Sequence, residues 1–221
     1  MRFLTSHRLG PRLVRLYIGL MGCGLGIAGT LKSELGVSPW DVLGQGVAKA
    51  SGLGFGAATV VVSSLVLLLW IPLRQRPGLG TVSNAALVGW FVDISSTLVP
   101  AAGQIPLWRP AAQALLLGAG IILFAFSCAL YIGANLKPGP RDGLMTGLVA
   151  ITGKPVWMIR TALELLVVTT GWLLGGTVGI GAAAFAFSIG PLIQLALRIL
   201  GVHIGPATPA GSVSPSGGDE K

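Results

Sequence analysis

Residues 36–47 read GVSPWDVLGQGV, and residues 137–148 read KPGPRDGLMTGL. Pro39 and Pro140 are 101 positions apart, and the same step separates Asp41 from Asp142, Leu43 from Leu144 and Gly46 from Gly147. Slid by 101, residues 39–93 align with 140–194 without a gap, and Gly52/Gly153, Gly78/Gly179, Gly80/Gly181 and Gly89/Gly190 join the matches. Matched glycines mark places where a backbone needs freedom or close approach, so they weigh more than matched leucines. Upstream the step becomes 105 and pairs CGLGIAGTLK (23–32) with CALYIGANLK (128–137). The first copy therefore carries four extra residues, SELG, in its loop.

The segments around these elements are apolar. Hydrophobic residues make up 52% of the chain and charged residues only 10%, against roughly 25% charged in soluble domains; the mean hydropathy is +0.80. Six stretches, 13–31, 55–73, 79–99, 112–134, 156–174 and 178–200, approach the ~20 residues that a helix needs to cross ~30 Å of hydrocarbon. The fold expected is an all-α membrane protein with six transmembrane helices and two short helices, at 39–51 and 140–152. It divides into a basic arm (1–12), repeat 1 (13–99), repeat 2 (112–200) and a Pro/Gly/Ser-rich disordered tail (202–221). Three spans per copy is an odd number, so the second copy enters the membrane inverted, an arrangement many secondary transporters use.

The net charge of +8 follows this topology. With both termini cytoplasmic, twelve of the fifteen Lys and Arg fall inside and only Lys32, Lys49 and Arg109 outside. This is the positive-inside bias of an inner-membrane protein, and it removes the need for nucleic acid as a partner. Cys23 and Cys128 lie within predicted spans, and no metal or cofactor site can be assembled around them. The basic arm followed by GLMGC has some features of a signal sequence, but its small-residue pattern is imperfect and Cys23 has a counterpart in Cys128. The segment is therefore read as a retained first span.

Ser38-Pro39-Trp40-Asp41 has the grammar of a helix start: Ser38 as N-cap, Pro39 at the first helical position, Asp41 at the third. Gly139-Pro140-Arg141-Asp142 repeats it with a glycine cap. Both helices should stop near Gly52 and Gly153, giving about 20 Å each, too short to cross; each is re-entrant or interfacial. Asp41 and Asp142 either cap their helices or, with Trp40 and Arg141, line a central site for a solute or ion. Capping explains each alone and not their pairing across the repeat.

Other polar residues lie within apolar segments. Arg160 and Glu164 are four apart and share one face of the fifth span, as a structural ion pair or as a coupling site. Asp93 in GWFVDISS has Gln194 as its repeat-mate, and either lines a cavity or reaches the outer interface. Asn84 and Ser83 are weaker signals. Gly22-x-x-x-Gly26 suits close helix packing. The GxG spacings at 78–80 and 179–181 follow no strand and are not nucleotide loops. No Ser/His/Asp or Cys/His nucleophile set exists, His7 and His203 being near the ends, so an enzyme is not expected.

Taken together, GVSPWDVL, GLGT (78–81), GPRDGLM, Arg160-x-x-x-Glu164, GGTVGIG (175–181) and Ser188-Ile189-Gly190-Pro191 resemble the YczE/YitT-type bacterial integral membrane proteins, the YczE-like branch in particular. Ala182 departs from the pattern where a threonine matching Thr81 would stand. The resemblance covers residues 12–200 and implies a multi-pass inner-membrane protein without specifying its activity. The function expected is passage of a small solute or ion as a secondary transporter; the alternative is a non-transporting accessory or scaffold. The partners are the lipid bilayer and an unidentified solute or ion, with a homo-oligomer left open.

Overall fold

The computed structural model describes residues 9–154 and 156–201, without the side chains of Val156 and Trp157. Arg2, Arg8, His7, His203, the expected tail and most of the expected basic arm lie outside the described residues. Every regular element among these residues is helical: α1 (Leu9–Lys32), α2 (Pro39–Ser51), α3 (Phe55–Leu69), α4 (Leu79–Leu98), a 3₁₀ turn (Ala102–Gln104), α5 (Arg109–Ile132), α6 (Pro140–Thr152), α7 (Val156–Leu173) and α8 (Ile180–Ile199).

Four of these helices, α1, α4, α5 and α8, are long and apolar enough to cross a membrane. A fifth crossing results if α2 and α3, joined at a 111° bend, count as one broken span. Large apolar side chains cover the outside: Phe187 is 84% exposed, Ile180 76% and Leu98 75%. A surface of that kind is sustained by lipid and not by water, and the molecule is a membrane protein.

α1 is already helical at Leu9, the first described residue, ahead of the hydropathy-based boundary at 13. Arg12, in this added turn, and Arg15, one turn further on, reach carbonyls just past the end of α5. Arg12 Nε donates to Ala134 O at 2.8 Å and its Nη2 to Asn135 O; Arg15 Nη1 reaches Gly133 O at 3.5 Å. Cations suit the negative end of a helix dipole.

α3 stops short of its expected end at 73. The chain turns there with Arg74 left-handed at φ 52°; Arg74 N–H bonds to Ile71 O and Gln75 N–H to Trp70 O, the pairing of a Schellman close. α7 closes in the same way, Gly175 N–H on Trp172 O and Gly176 N–H on Gly171 O, with Gly175 at φ 92°.

The central layer is the antiparallel pair α1 and α5, flanked by α4 on α1 and α8 on α5. Small residues set its spacing. A Cβ on Gly26 would lie 2.8 Å from Gly120 O, and one on Gly22 would overlap the Ser127 hydroxyl. The stripe noted at Gly22 and Gly26 thus lets two backbones approach. Leu16, Leu20, Cys23, Ile27, Val88, Val92, Cys128 and Tyr131 fill the core beside it. The short helices cross over: α2 packs on α7, and α6 on both α3 and α7. Gly143 of α6 makes room for the Trp70 ring, whose indole N–H donates to Pro140 O at 3.1 Å.

Candidate functional site

Both short helices begin as the local chemistry dictates. Pro39 and Pro140 are the first residues of α2 and α6, and Gly52 and Gly153 end them left-handed, at φ 74° and 64°. The two starts differ in how they are closed. Ser38 Oγ accepts from Asp41 N–H at 3.3 Å and its hydroxyl donates to the Asp41 carboxylate, so α2 is capped. Gly139 has no side chain to cap α6.

The two starts converge. Arg141 Nη2 on α6 reaches Asp41 Oδ1 on α2 at 3.3 Å, and its guanidinium lies 5.4 Å from the centre of the Trp40 ring, within cation–π range. Asp41 is only 1% exposed. A lone carboxylate at that depth is costly unless ionically paired and hydrogen-bonded, and Asp41 is both.

Beside this clamp lies a cavity of about 250 Å³. Ser38, Pro39 and Trp40 from α2 and Gly139, Pro140, Arg141 and Asp142 from α6 form one part of its wall. Arg160 and Glu164 of α7 form another and pair with each other at 3.0 Å. Asp142 is accessible from the cavity, where its Oδ2 accepts from the Tyr131 hydroxyl at 3.3 Å. Apolar side chains from α1, α4, α5 and α8, among them Ile27, Val88, Phe124 and Phe185, close most of the remainder, with Thr59, Ser63 and Asn84 as neutral polar groups among them. Cys23 and Cys128 meet at this wall with their sulfurs 3.7 Å apart, both as free thiols.

Of the residues singled out in the sequence, the cavity gathers Ser38, Pro39, Trp40, Gly139, Pro140, Arg141, Asp142, Arg160 and Glu164 on its wall, with Asp41 directly behind. Asp93 stands elsewhere. It is exposed, and its Oδ1 accepts from Gly56 N–H at 2.9 Å, satisfying an orphan donor at the start of α3. Gln194 is exposed on α8, and its neighbour Ile193, not Gln194, reaches the wall. Thr81, the hydroxyl without a counterpart at Ala182, donates to Pro138 O at 2.7 Å in the loop before α6.

Tyr131 escaped sequence reasoning. Its one signal is that it replaces Gly26 in the aligned pair CGLGIAGTLK and CALYIGANLK, a large polar ring where the other copy keeps no side chain.

A model described as a family of unknown function, DUF6198, matches residues 10–198, the stretch that builds the clamp and the whole cavity. The chain belongs to this family. Other proteins resemble this DUF6198 chain along most of its length. A Haemophilus influenzae "Uncharacterized protein" is 37% identical over 83% of this chain and 81% of its own. The Bacillus subtilis "Uncharacterized membrane protein YczE" is 26% identical over 90% and 93%. The same organism's "Uncharacterized protein YyaS" is 27% identical over 84% and 92%. The YczE-like resemblance read from the motifs is thus upheld. No solved structure matches.

Proposed function

We propose that this DUF6198 protein is a secondary transporter of the bacterial inner membrane, carrying a small solute or ion through the cavity between α2 and α6. The observation that carries the reading is the convergence of two short helix starts on a cavity lined by charged groups within an apolar bundle. A dry bundle with both short helices apart at its faces would have favoured the scaffold reading. Carriers of several folds place their sites where broken helices from two halves meet, an analogy of architecture.

In this reading the chain is a 3+3 inverted repeat, with α1, α3 and α4 in one half and α5, α7 and α8 in the other, and both termini cytoplasmic. Backbone geometry supports it independently of side-chain similarity. Left-handed residues occur at Glu34 and Asn135, Gly36 and Lys137, Gly52 and Gly153, Arg74 and Gly175, each pair 101 apart. The step of 101 therefore reaches back to Glu34, and the four extra residues fall upstream of it and not at SELG as the sequence alignment placed them. Gly80 N–H donates to Leu136 O and Gly181 N–H to Leu35 O, both at 2.8 Å, one hydrogen bond repeated with the halves exchanged. The thiols that touch, Cys23 and Cys128, are also repeat-mates.

Flux into proteoliposomes, measured for a panel of solutes under an imposed pH gradient, tests the carrier. Gradient-driven uptake of at least one solute is expected. No uptake of any solute, with Asp142→Asn behaving like wild type in cells, turns the reading to a scaffold.

A further inference from the structure

With the Asp41 carboxylate behind the wall counted, the site holds three carboxylates against two guanidiniums. Arg141 is held by Asp41 and Arg160 by Glu164, while Asp142, in contact with the same space, has no cation within ion-pair distance among the described residues. It accepts a hydrogen bond from the Tyr131 hydroxyl. The repeat explains the omission. Trp40 and Arg141 are equivalent positions stacked on one another; Arg141 crosses to the opposite carboxylate, Asp41, and Trp40 cannot return the favour to Asp142. The rest of the wall offers no substitute: α3 contributes Thr59 and Ser63, α4 Asn84 and Val88, and α8 apolar side chains, none of them titratable. Besides Tyr131 and the paired Arg141, Arg160 and Glu164, the titratable groups facing this space are the thiols of Cys23 and Cys128. Arg141 and Arg160 act on Asp142 only from beyond ion-pair distance, so a carboxylate against this largely apolar wall is left open to a proton or a mobile cation.

We propose that the cavity binds a small organic cation, an ammonium group on a short apolar body, in exchange for a proton at Asp142. The proposal rests on the carrier reading and gives it a substrate class and a coupling step. In the empty cavity Asp142 carries the proton on a carboxyl oxygen. On entry of the cation that proton leaves to water, and the ammonium N–H groups donate to the resulting carboxylate. The apolar body meets Ile27, Phe124 and Phe185. The cavity's volume of about 250 Å³ lies below the range of drug-sized ligands, about 300–1,000 Å³, and favours a small body. Because one carboxylate serves both, proton and cation exclude each other, which is the requirement for exchange. A neutral solute or an anion brings no positive charge to take the place of the Asp142 proton, so neither drives its release.

The test uses the purified full chain in nanodiscs, titrated in weak buffer with alkylammonium ions from ethyl to hexyl and with the matching alcohols and carboxylates. Alkylammonium should bind, release up to about one proton per site, and weaken about tenfold per unit of pH decrease while Asp142 is protonated in the empty site. The alcohols and carboxylates should not bind. Tyr131→Phe removes the hydroxyl that favours the ionised carboxylate, so its binding curve should move to higher pH. Asp142→Asn should lose both binding and proton release. Alkylammonium binding without proton release, or binding undiminished in Asp142→Asn, overturns the proposal. So does binding of the alcohols or carboxylates alone, or of no compound; gradient-driven flux of another solute would then leave the carrier reading intact.

Discussion

Asp41 and Asp142 share a sequence grammar and differ in what they face. Both were legible as the third residue of a proline-started helix, because that follows from local chemistry alone. Their divergence was not legible, since it depends on where Arg141 reaches across the bundle, and one flanking difference, Trp40 against Arg141, decides it. Two substitutions separate the roles. Asp41→Asn strips the buried charge from Arg141 and should lower unfolding free energy by about 1–3 kcal/mol, read as a lower melting temperature in detergent; an unchanged melt would show the clamp to be idle. Trp40→Arg supplies the missing partner for Asp142. It should leave the fold intact by circular dichroism and abolish cation-linked proton release, whereas release at the wild-type level would deny that Asp142 is the group concerned.

At the scale of elements, boundaries fixed by proline and glycine were readable to the residue, as the limits of α2 and α6 show. Boundaries set by tertiary contact were not. α1 is helical ahead of residue 13, where Arg12 meets the loop just past α5. α3 ends at Leu69, where Trp70 turns in to Pro140. The glycine stripe of α1 was readable as a packing surface, and its partner was not, because spacing alone names no neighbour. Gly26→Leu should force α1 and α5 apart at a cost of about 1–3 kcal/mol or more, seen as lost thermal stability. Gly118→Ala on α5 meets nothing within 4 Å and should be neutral or gain up to about 1 kcal/mol. Equal effects of the two would mean that this interface is not the close one described.

For the whole molecule, the apolar, lipid-facing exterior and the paired short helices could be read from one chain, because local motifs and hydropathy are written along it. The cavity could not, for it exists only where elements about 100 residues apart meet. Asp93 illustrates the limit: an acidic residue in an apolar helix suggested a site, and its partner proved to be the backbone of Gly56. The central claim is that this cavity opens in turn to each side of the membrane. Ser63 lines it from α3, so a single cysteine at that position, in a chain with Cys23 and Cys128 replaced by alanine, can report on access. A membrane-impermeant thiol reagent applied from one side and then the other, in oriented vesicles, measures it. The account predicts modification from both sides, with rates that shift in opposite directions when a transported solute is added; modification from one side only, or from neither, would contradict it.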